Sequence, residues 1–579
     1  MQAAAADEQP AGRTALARGW RGARNRLAAH PCLSAPLLGA FAACGFQPLA
    51  WWPATLVGVA GLIALVTDTR HGSRTLLLGW LWGLGHFTLG DNWIATAFTF
   101  QAKMPPSLGW VAVVLLSAYL AVYPALAAWL GWMIARRRPV PKLAMILAMG
   151  GGWALTEWLR SWAFTGFAWN PLAVAALGSF AHPALAALLP WLGTYALSGV
   201  VVMLAGCWWA TLARGKFDIV AVALLAVPAA LLLQPGHFGA RDPAGTLAYT
   251  VVQPNIAQST LDDPQFFQDH FLTEAALSYS AAPAQRRVVL WPESGVPDYL
   301  REGYPPAYYR ATTYAADPAQ ARARLGRVVG PNSVLLTGAV DVDVHGDTVA
   351  DARNVVTALD SRGTILGSYA KAHLVPYGEY LPERAWLEPL GLARLVPGDI
   401  DFLPGPGPQT LDLGPWGKAG VQICYEIIFS GQVVDRAHRP DYIVAPSNDG
   451  WFGNWGPPQH LAQARLRAIE EGLPVLRSTT SGDSAVVDAD GIVRGAILRG
   501  AAGRLDGMIP PPHAPTLFAR WGNALAMGWA AIWLVLSFLL SHRLLPKPVS
   551  TRFFAGAGIF WQDAGRLPRG ANPARREGT

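Results

Sequence analysis

The sequence predicts an α-helical membrane bundle joined to a water-exposed α/β domain. Three observations lead there. Hydrophobic residues make up 52% of the 579 positions and charged residues only 14%, too apolar for a chain whose whole surface meets water. Eight runs are apolar for close to the ~20 residues that a bilayer core demands of a helix. Between the seventh and eighth lies a long stretch where short β-branched runs alternate with helical ones.

The expected spans lie at about 33–49, 53–68, 75–98, 108–134, 142–163, 190–212, 217–234 and 517–541. The fifth is the least regular, with Glu157 and Arg160 near its end. Basic residues fall in alternate gaps. Arg13, Arg18, Arg21, Arg24 and Arg26 precede the first span, Arg70 and Arg74 follow the second, Arg136 to Arg138 and Lys142 the fourth, and Arg214 and Lys216 the sixth. The other gaps hold only Lys103 and Arg160. Positive loops stay in the cytoplasm, so residues 1–32 form a cytoplasmic segment and an uncleaved anchor follows. Residues 33–235 are a seven-helix bundle, 236–516 an outer domain, 517–541 an eighth span and 542–579 a cytoplasmic tail. Trp51, Trp52, Trp110 and Trp191 suit the interfacial belt.

Composition excludes several functions. The net charge of +7 is accounted for by the cytoplasmic loops, so no nucleic acid is implied. Cys32, Cys44, Cys207 and Cys424 are scattered, with no metal or disulfide spacing, and no cofactor is expected. A transporter would carry more intramembrane charge than Asp91 in Leu89-Gly90-Asp91-Asn92-Trp93, and would have little use for so large an outer domain.

In that domain, strands are expected at Leu247–Val252, Arg287–Leu290, Ser333–Leu336, Asn354–Leu359, Ala419–Cys424, Tyr442–Ala445 and Ser484–Val487. A helix is expected over Gln459–Glu471, with Leu461, Ala464, Leu466 and Ile469 on one face. Such alternation implies buried sheets covered by helices.

Three candidate strand ends carry reactive groups: Leu290-Trp291-Pro292-Glu293-Ser294, Ser368-Tyr369-Ala370-Lys371, and Gly420-Val421-Gln422-Ile423-Cys424-Tyr425-Glu426. A lone cysteine is more often a buried core residue than a nucleophile. An acid, a lysine and a thiol together suit acyl transfer. The thiol attacks a carbonyl, the carboxylate takes its proton and the ammonium neutralises the oxyanion. Backbone N–H groups after Cys424 add oxyanion donors.

Glu293, Lys371 and Cys424 resemble the Glu-Lys-Cys triad of the nitrilase (carbon–nitrogen hydrolase) superfamily. With the spans around it, the chain resembles that superfamily's membrane-embedded branch, the apolipoprotein N-acyltransferase family of bacterial inner membranes. The stretches Trp291–Ser294, Lys371–Pro382, Ile423–Ile428, Ser447–Gly453, Gln459-His460 and Leu476–Thr479 carry the resemblance. It implies an α-β-β-α sandwich for the outer, periplasmic domain. It also implies ping-pong transfer of an acyl chain from a phospholipid, typically phosphatidylethanolamine, through a Cys424 thioester. The acceptor is the N-terminal amine of a diacylglyceryl-cysteine apolipoprotein. Glu293 is then the general base and Lys371 stabilises the tetrahedral intermediate. Glu379 is an accessory acid, Tyr425 gives a backbone donor, and Glu426 and Asn354 support the site. A monomer is expected. One departure stands out: Asn255-Ile256-Ala257-Gln258-Ser259 leads to Leu261-Asp262-Asp263, where family members often carry Trp.

A thioester must be kept from water. Trp386 and Leu387 in the stretch 385–392, Tyr377, and Trp451 and Phe452 are the candidate lipid contacts; filling a core is the ordinary alternative. His373 and His460 read as structural. A membrane-tethered amidase with water as acceptor shares the triad and is the main alternative. A transporter or receptor with a non-catalytic outer domain is a remote one.

Overall fold

The computed structural model describes residues 22, 25–67, 69–100, 105–135, 142–214, 226, 230, 245–280, 285–346, 348–390 and 401–542. Apart from residues 226 and 230, the expected span 217–234 lies outside the described residues, as do the arginines at 136–138, the basic tail and the arginines before residue 22.

The bundle comprises α1 (Pro31–Ala43), α2 (Trp52–Thr67), α3 (Gly72–Gly90), α4 (Leu108–Leu120), α5 (Val122–Ala135), α6 (Lys142–Arg160) and α7 (Leu189–Arg214). α11 (Asn523–Ser541) packs against α6 and α7 from the far end of the chain. Leu108–Ile134, Leu185–Thr211 and Asn523–Ser541 are long and apolar enough to cross a membrane. The expected spans 33–49 and 53–68 are helices of 13 and 16 residues. α1 ends at Ala43, and the chain then turns through Gly45 and Pro48. α3 stops at Gly90, where Asp91 and Asn92 open a turn. Small residues set the packing. A Cβ on Gly39 would run into the Trp82 carbonyl, and one on Gly85 into that of Pro36, so α1 and α3 meet backbone to backbone, as membrane helices often do.

The outer domain holds two six-stranded sheets. The first has the order β12-β1-β2-β3-β4-β5 and the second β11-β10-β9-β8-β7-β6. The first contains β1 (Ala248–Gln253), β2 (Arg287–Leu290), β3 (Ser333–His345), β4 (Thr348–Asp360), β5 (Ile365–Ala370) and β12 (Gly503–Met508). The second contains β6 (Thr410–Asp412), β7 (Lys418–Val421), β8 (Tyr442–Ser447), β9 (Val475–Thr479), β10 (Ser484–Val487) and β11 (Val493–Ile497). β1, β2 and β3 are parallel, as are β7, β8 and β9.

Alternation along β2 shows how the layers form. Val288 and Leu290 point into the core shared with the second sheet. Val289 points the other way, into a core with Leu325 and Val329 of α9 (Pro318–Val329), against which Phe271 of α8 (Phe267–Ser278) packs. Each face of a buried strand needs its own apolar cover, and the result is the α-β-β-α sandwich of nitrilase type.

α10 (Gly456–Glu471) covers the second sheet and joins the domain to the bundle. Leu461, Ala464 and Ala468 belong to the domain core, whereas Ala462, Leu466 and Ile469 belong to the bundle core. The expectation that Leu461, Ala464, Leu466 and Ile469 share one face is therefore wrong. At 100° per residue Leu466 lies well round the helix from Leu461, and two partners cover the two sides. Its charges are satisfied internally. Glu470 Oε1 accepts from Thr194 N at 2.6 Å and Ser430 Oγ at 2.8 Å, and Arg465 Nε donates to the Gly491 carbonyl at 2.8 Å.

Candidate active site

The strand ends position the reactive groups. β5 stops at Ala370 and Lys371 follows at once, its N–H bonded to the Asn354 carbonyl of β4 at 2.9 Å. After β2 the chain bends through Pro292 and Glu293 to Ser294, whose φ is +58°. This bend lies so close to β3 that a Cβ on Gly338 would sit 2.5 Å from the Ser294 nitrogen, so glycine is required there.

The Cys424 strand is shorter than expected. β7 ends at Val421, and Cys424 opens a short helical turn, Cys424–Ile428, with φ of +52°. That left-handed conformation costs a non-glycine residue about 1–2 kcal/mol, and surrounding bonds hold it. Glu426 accepts from Ile423 N at 2.7 Å, and His460 Nε2 donates to the Cys424 carbonyl at 3.0 Å. A sharp turn at a thiol lifts the sulfur off the sheet and leaves the following N–H groups beside it.

Glu293, Lys371 and Glu379 are buried and form one cluster with the half-buried Asn354. Lys371 Nζ lies 3.1 Å from Glu293 Oε1 and 3.0 Å from Glu379 Oε1. Asn354 Nδ2 donates to the same two oxygens at 2.8 and 2.9 Å. The other oxygens accept backbone donors: Glu293 Oε2 from Asn448 N and Glu379 Oε2 from Val375 N, both at 2.8 Å. All four carboxylate oxygens are thus engaged.

Electrostatics follow. Burial pushes the Cys424 thiol up, and the Glu293 carboxylate pushes it further than Lys371 can offset. Its proton rests on sulfur. Burial alone would lower Lys371, but the two carboxylates outweigh it and keep the ammonium charged above its ordinary range. Burial would likewise raise Glu293; Lys371 and the hydrogen bonds from Asn354 and Asn448 hold it below the usual carboxylate range. A neutral thiol beside a fixed carboxylate and a fixed ammonium is poised for general-base attack on a carbonyl.

Glu426 ties the loops together. Its Oε1 accepts from Tyr369 Oη at 2.7 Å, Ala372 N at 2.7 Å and His373 N at 3.2 Å, so it joins the Lys371 loop to the Cys424 turn. Burial pushes its pKa up to about 7. Tyr425, next to the nucleophile, is buried and donates through Oη to the Gly166 carbonyl at 3.3 Å.

The aromatic candidates separate. Trp386 is 75% exposed and Tyr377 47% exposed, while Leu387 and Trp451 are half-buried. Phe452 is corrected: it is buried in a ring cluster, 4.8 Å from Trp93 and 5.5 Å from Trp169, so it belongs to the core and not to a lipid-facing surface. Residues 391 and 392 lie outside the described residues. His373 stacks on Phe429 at 4.3 Å, a packing role.

Sequence reasoning missed the parts contributed by Asn448 and His460. Asn448 N holds Glu293, and its side chain donates to Gln258 at 2.8 Å, so the Asn255–Ser259 segment props the base. Asp449, held by Arg477 at 2.6 Å, lies 3.2 Å from His460 Nδ1. Burial, then Arg477, keeps His460 neutral, which suits donation through Nε2 to the nucleophile's carbonyl. The quoted Ser447–Gly453 and Leu476–Thr479 segments were the available signal, since each set a buried charge beside the expected strand ends.

Comparison with known proteins assigns the two halves. The model of the apolipoprotein N-acyltransferase N-terminal domain matches residues 38–207, and that of carbon-nitrogen hydrolase matches residues 250–503. An apolipoprotein N-acyltransferase of Brucella melitensis is 34% identical over 92% of this chain and 96% of its own. That of Rhodopseudomonas palustris is 31% identical over 90% and 96%. A crystal structure of an amidase from Nesterenkonia sp. superposes with a TM-score of 0.30 at 19% identity, over 48% of this chain and 93% of its own. The buried triad, the sandwich and the bundle occur together in one continuous chain, and that chain belongs to the apolipoprotein N-acyltransferase family.

Proposed function

We propose that this membrane-associated N-acyltransferase works through a Cys424 thioester. Glu293 accepts the thiol proton as sulfur attacks the ester carbonyl of a phospholipid, taken here as phosphatidylethanolamine. Lys371 and the Tyr425 N–H receive the oxyanion. The tetrahedral intermediate collapses, and Glu293 returns the proton to the departing lysophospholipid hydroxyl. The N-terminal amine of a diacylglyceryl-cysteine apolipoprotein then attacks the thioester. Glu293 takes the amine proton, and the amide forms as Cys424 leaves and regains its hydrogen.

The observation that carries this reading is a buried thiol facing a carboxylate–ammonium–carboxylate cluster on a domain whose α10 is also bundle core. The family names the reaction class, and the geometry supplies the groups. Trp386 and Tyr377 are the candidate lipid contacts. On the loop-charge asymmetry, eight spans, a cytoplasmic N-terminus and a periplasmic 236–516 domain complete the proposed layout in a bacterial inner membrane, with the enzyme acting as a monomer.

The test is intact-protein mass with phospholipid alone. Wild type is expected to gain one fatty acyl group on Cys424, and Cys424→Ala none. Adding a diacylglyceryl peptide should move the acyl group to the peptide amine. Release as free fatty acid instead would make the protein an amidase-like hydrolase, and absence of any adduct on wild type would sink the thioester.

A further inference from the structure

One buried cation of the bundle has no part in the chemistry above. Arg160, at the end of α6, is 2% exposed, and its guanidinium lies 5.3 Å over the Phe87 ring. Its charge partners are remote or weakly placed. Glu157 is 3.9 Å away, and the buried Asp91 carboxylate hydrogen-bonds to nothing among the described residues. What Arg160 does hold is the connecting loop after α6. Its carbonyl accepts from Phe167 N at 2.9 Å, and its Nη1 donates to the Trp169 carbonyl at 2.8 Å. The two bonds tie the far end of the loop 161–170 back to the end of α6, the second through the Arg160 side chain itself. Gly166, with φ of +71° and a Cβ position 2.5 Å from the Ser161 carbonyl, allows the tight return.

That loop reaches the nucleophile's turn by two routes, one direct and one through α10. The Gly166 carbonyl accepts from Tyr425 Oη at 3.3 Å. The Trp169 ring lies 5.1 Å from that of His460 and donates through Nε1 to Gln459 at 2.8 Å, and His460 in turn holds the Cys424 carbonyl at 3.0 Å. A residue in the strained left-handed region persists only when its surroundings over-determine it. Here the bundle supplies part of that constraint. We infer that Arg160 is a positioning residue: through the 161–170 loop it fixes the Cys424–Tyr425 turn, so the bundle sets the geometry of the nucleophile and its oxyanion donor as well as anchoring the domain.

This inference rests on the thioester reading, and the test separates the two. Full-length protein in phospholipid nanodiscs is followed by intact mass, giving the maximal rate of thioester formation and the phospholipid concentration at half-saturation. Misplacing reacting atoms by about 1 Å costs on the order of 10²-fold, so Arg160→Lys should lower the maximal rate by about 10- to 100-fold with half-saturation unchanged. Tyr425→Phe, which keeps the ring and removes only the hydroxyl, should lower it in the same way. The double variant should be no slower than Arg160→Lys alone, because both act through one contact chain.

Single variants within threefold of wild type, or a double variant whose loss is the product of the two, overturn the inference. If Arg160→Lys does not accumulate, Tyr425→Phe and Trp169→Phe decide it: a lowered maximal rate in both supports the inference, and wild-type rates refute it. Absence of the adduct on wild type refutes the thioester itself, whereas a normal wild-type adduct with unaffected variants refutes only the role of Arg160.

Discussion

Glu293→Gln removes a charge and also turns an acceptor into a donor where only donors point inward. Glu293 Oε1 faces Lys371 Nζ at 3.1 Å and Asn354 Nδ2 at 2.8 Å, while Oε2 faces Asn448 N at 2.8 Å. A glutamine must place its amide nitrogen on one side or the other. Turned toward Lys371 and Asn354 it opposes an ammonium, so the oxygen stays there and the NH₂ opposes the Asn448 N–H. Leaving that buried donor unpaired costs about 1–3 kcal/mol. The loss of a general base costs ~10²–10⁴-fold in rate. Expected together are a lowered melting temperature and a rate of thioester formation reduced at least ~10²-fold at neutral pH. Single-turnover acylation followed by intact mass, with a thermal melt of the same sample, measures both. A variant acylated within tenfold of wild type would place the base elsewhere. A full rate loss with an unchanged melt would refute the hydrogen-bond accounting while leaving the base role intact.

Asn354→Ala should act through both carboxylates. Without its amide, Glu293 loses a donor that holds its pKa down, so the acid limb of the acylation–pH profile should move to higher pH and the rate at neutral pH fall by about tenfold; an unmoved limb would exclude the bridge. The raised Cys424 thiol gives an opposite signature. Iodoacetamide alkylation of the resting enzyme should climb only above the ordinary thiol range near 8.5, because the proton stays on sulfur until then; a plateau below pH 8 would show a preformed thiolate instead.

The proposed triad could be picked out because Glu293 and Cys424 follow apolar, β-branched runs and Lys371 the end of a short strand; β2 and β10 fall where their composition puts them. The nucleophile's surroundings were less legible. A strand drawn through to Cys424 misses the turn, since composition records apolarity and not the φ of +52° held by the Glu426 and His460 bonds. Arg465, Arg467 and Glu470 look like a solvated helix face, yet all are buried; periodicity reports which residues are apolar, not that a second body covers the polar ones. Phe452 and Trp386 are equally aromatic in sequence. Only the neighbouring Trp93 and Trp169, from distant segments, separate the buried ring from the exposed one.

Burial at Cys424 has two consequences that pull together. It keeps the thiol protonated, and a protonated thiol is a poor nucleophile and a poor target for oxidation. On the proposed chemistry the enzyme between substrates is therefore quiet, and reaction waits for a carbonyl placed so that proton transfer to Glu293 and attack by sulfur occur in one event. The same burial would keep water from the proposed thioester. A triad of this kind with free access to water would lose its acyl group to hydrolysis; here α10 and the loop after α6 close the side facing the bundle. The choice between transfer and hydrolysis then depends less on the catalytic groups than on what covers them, and in this chain the bundle forms part of that cover.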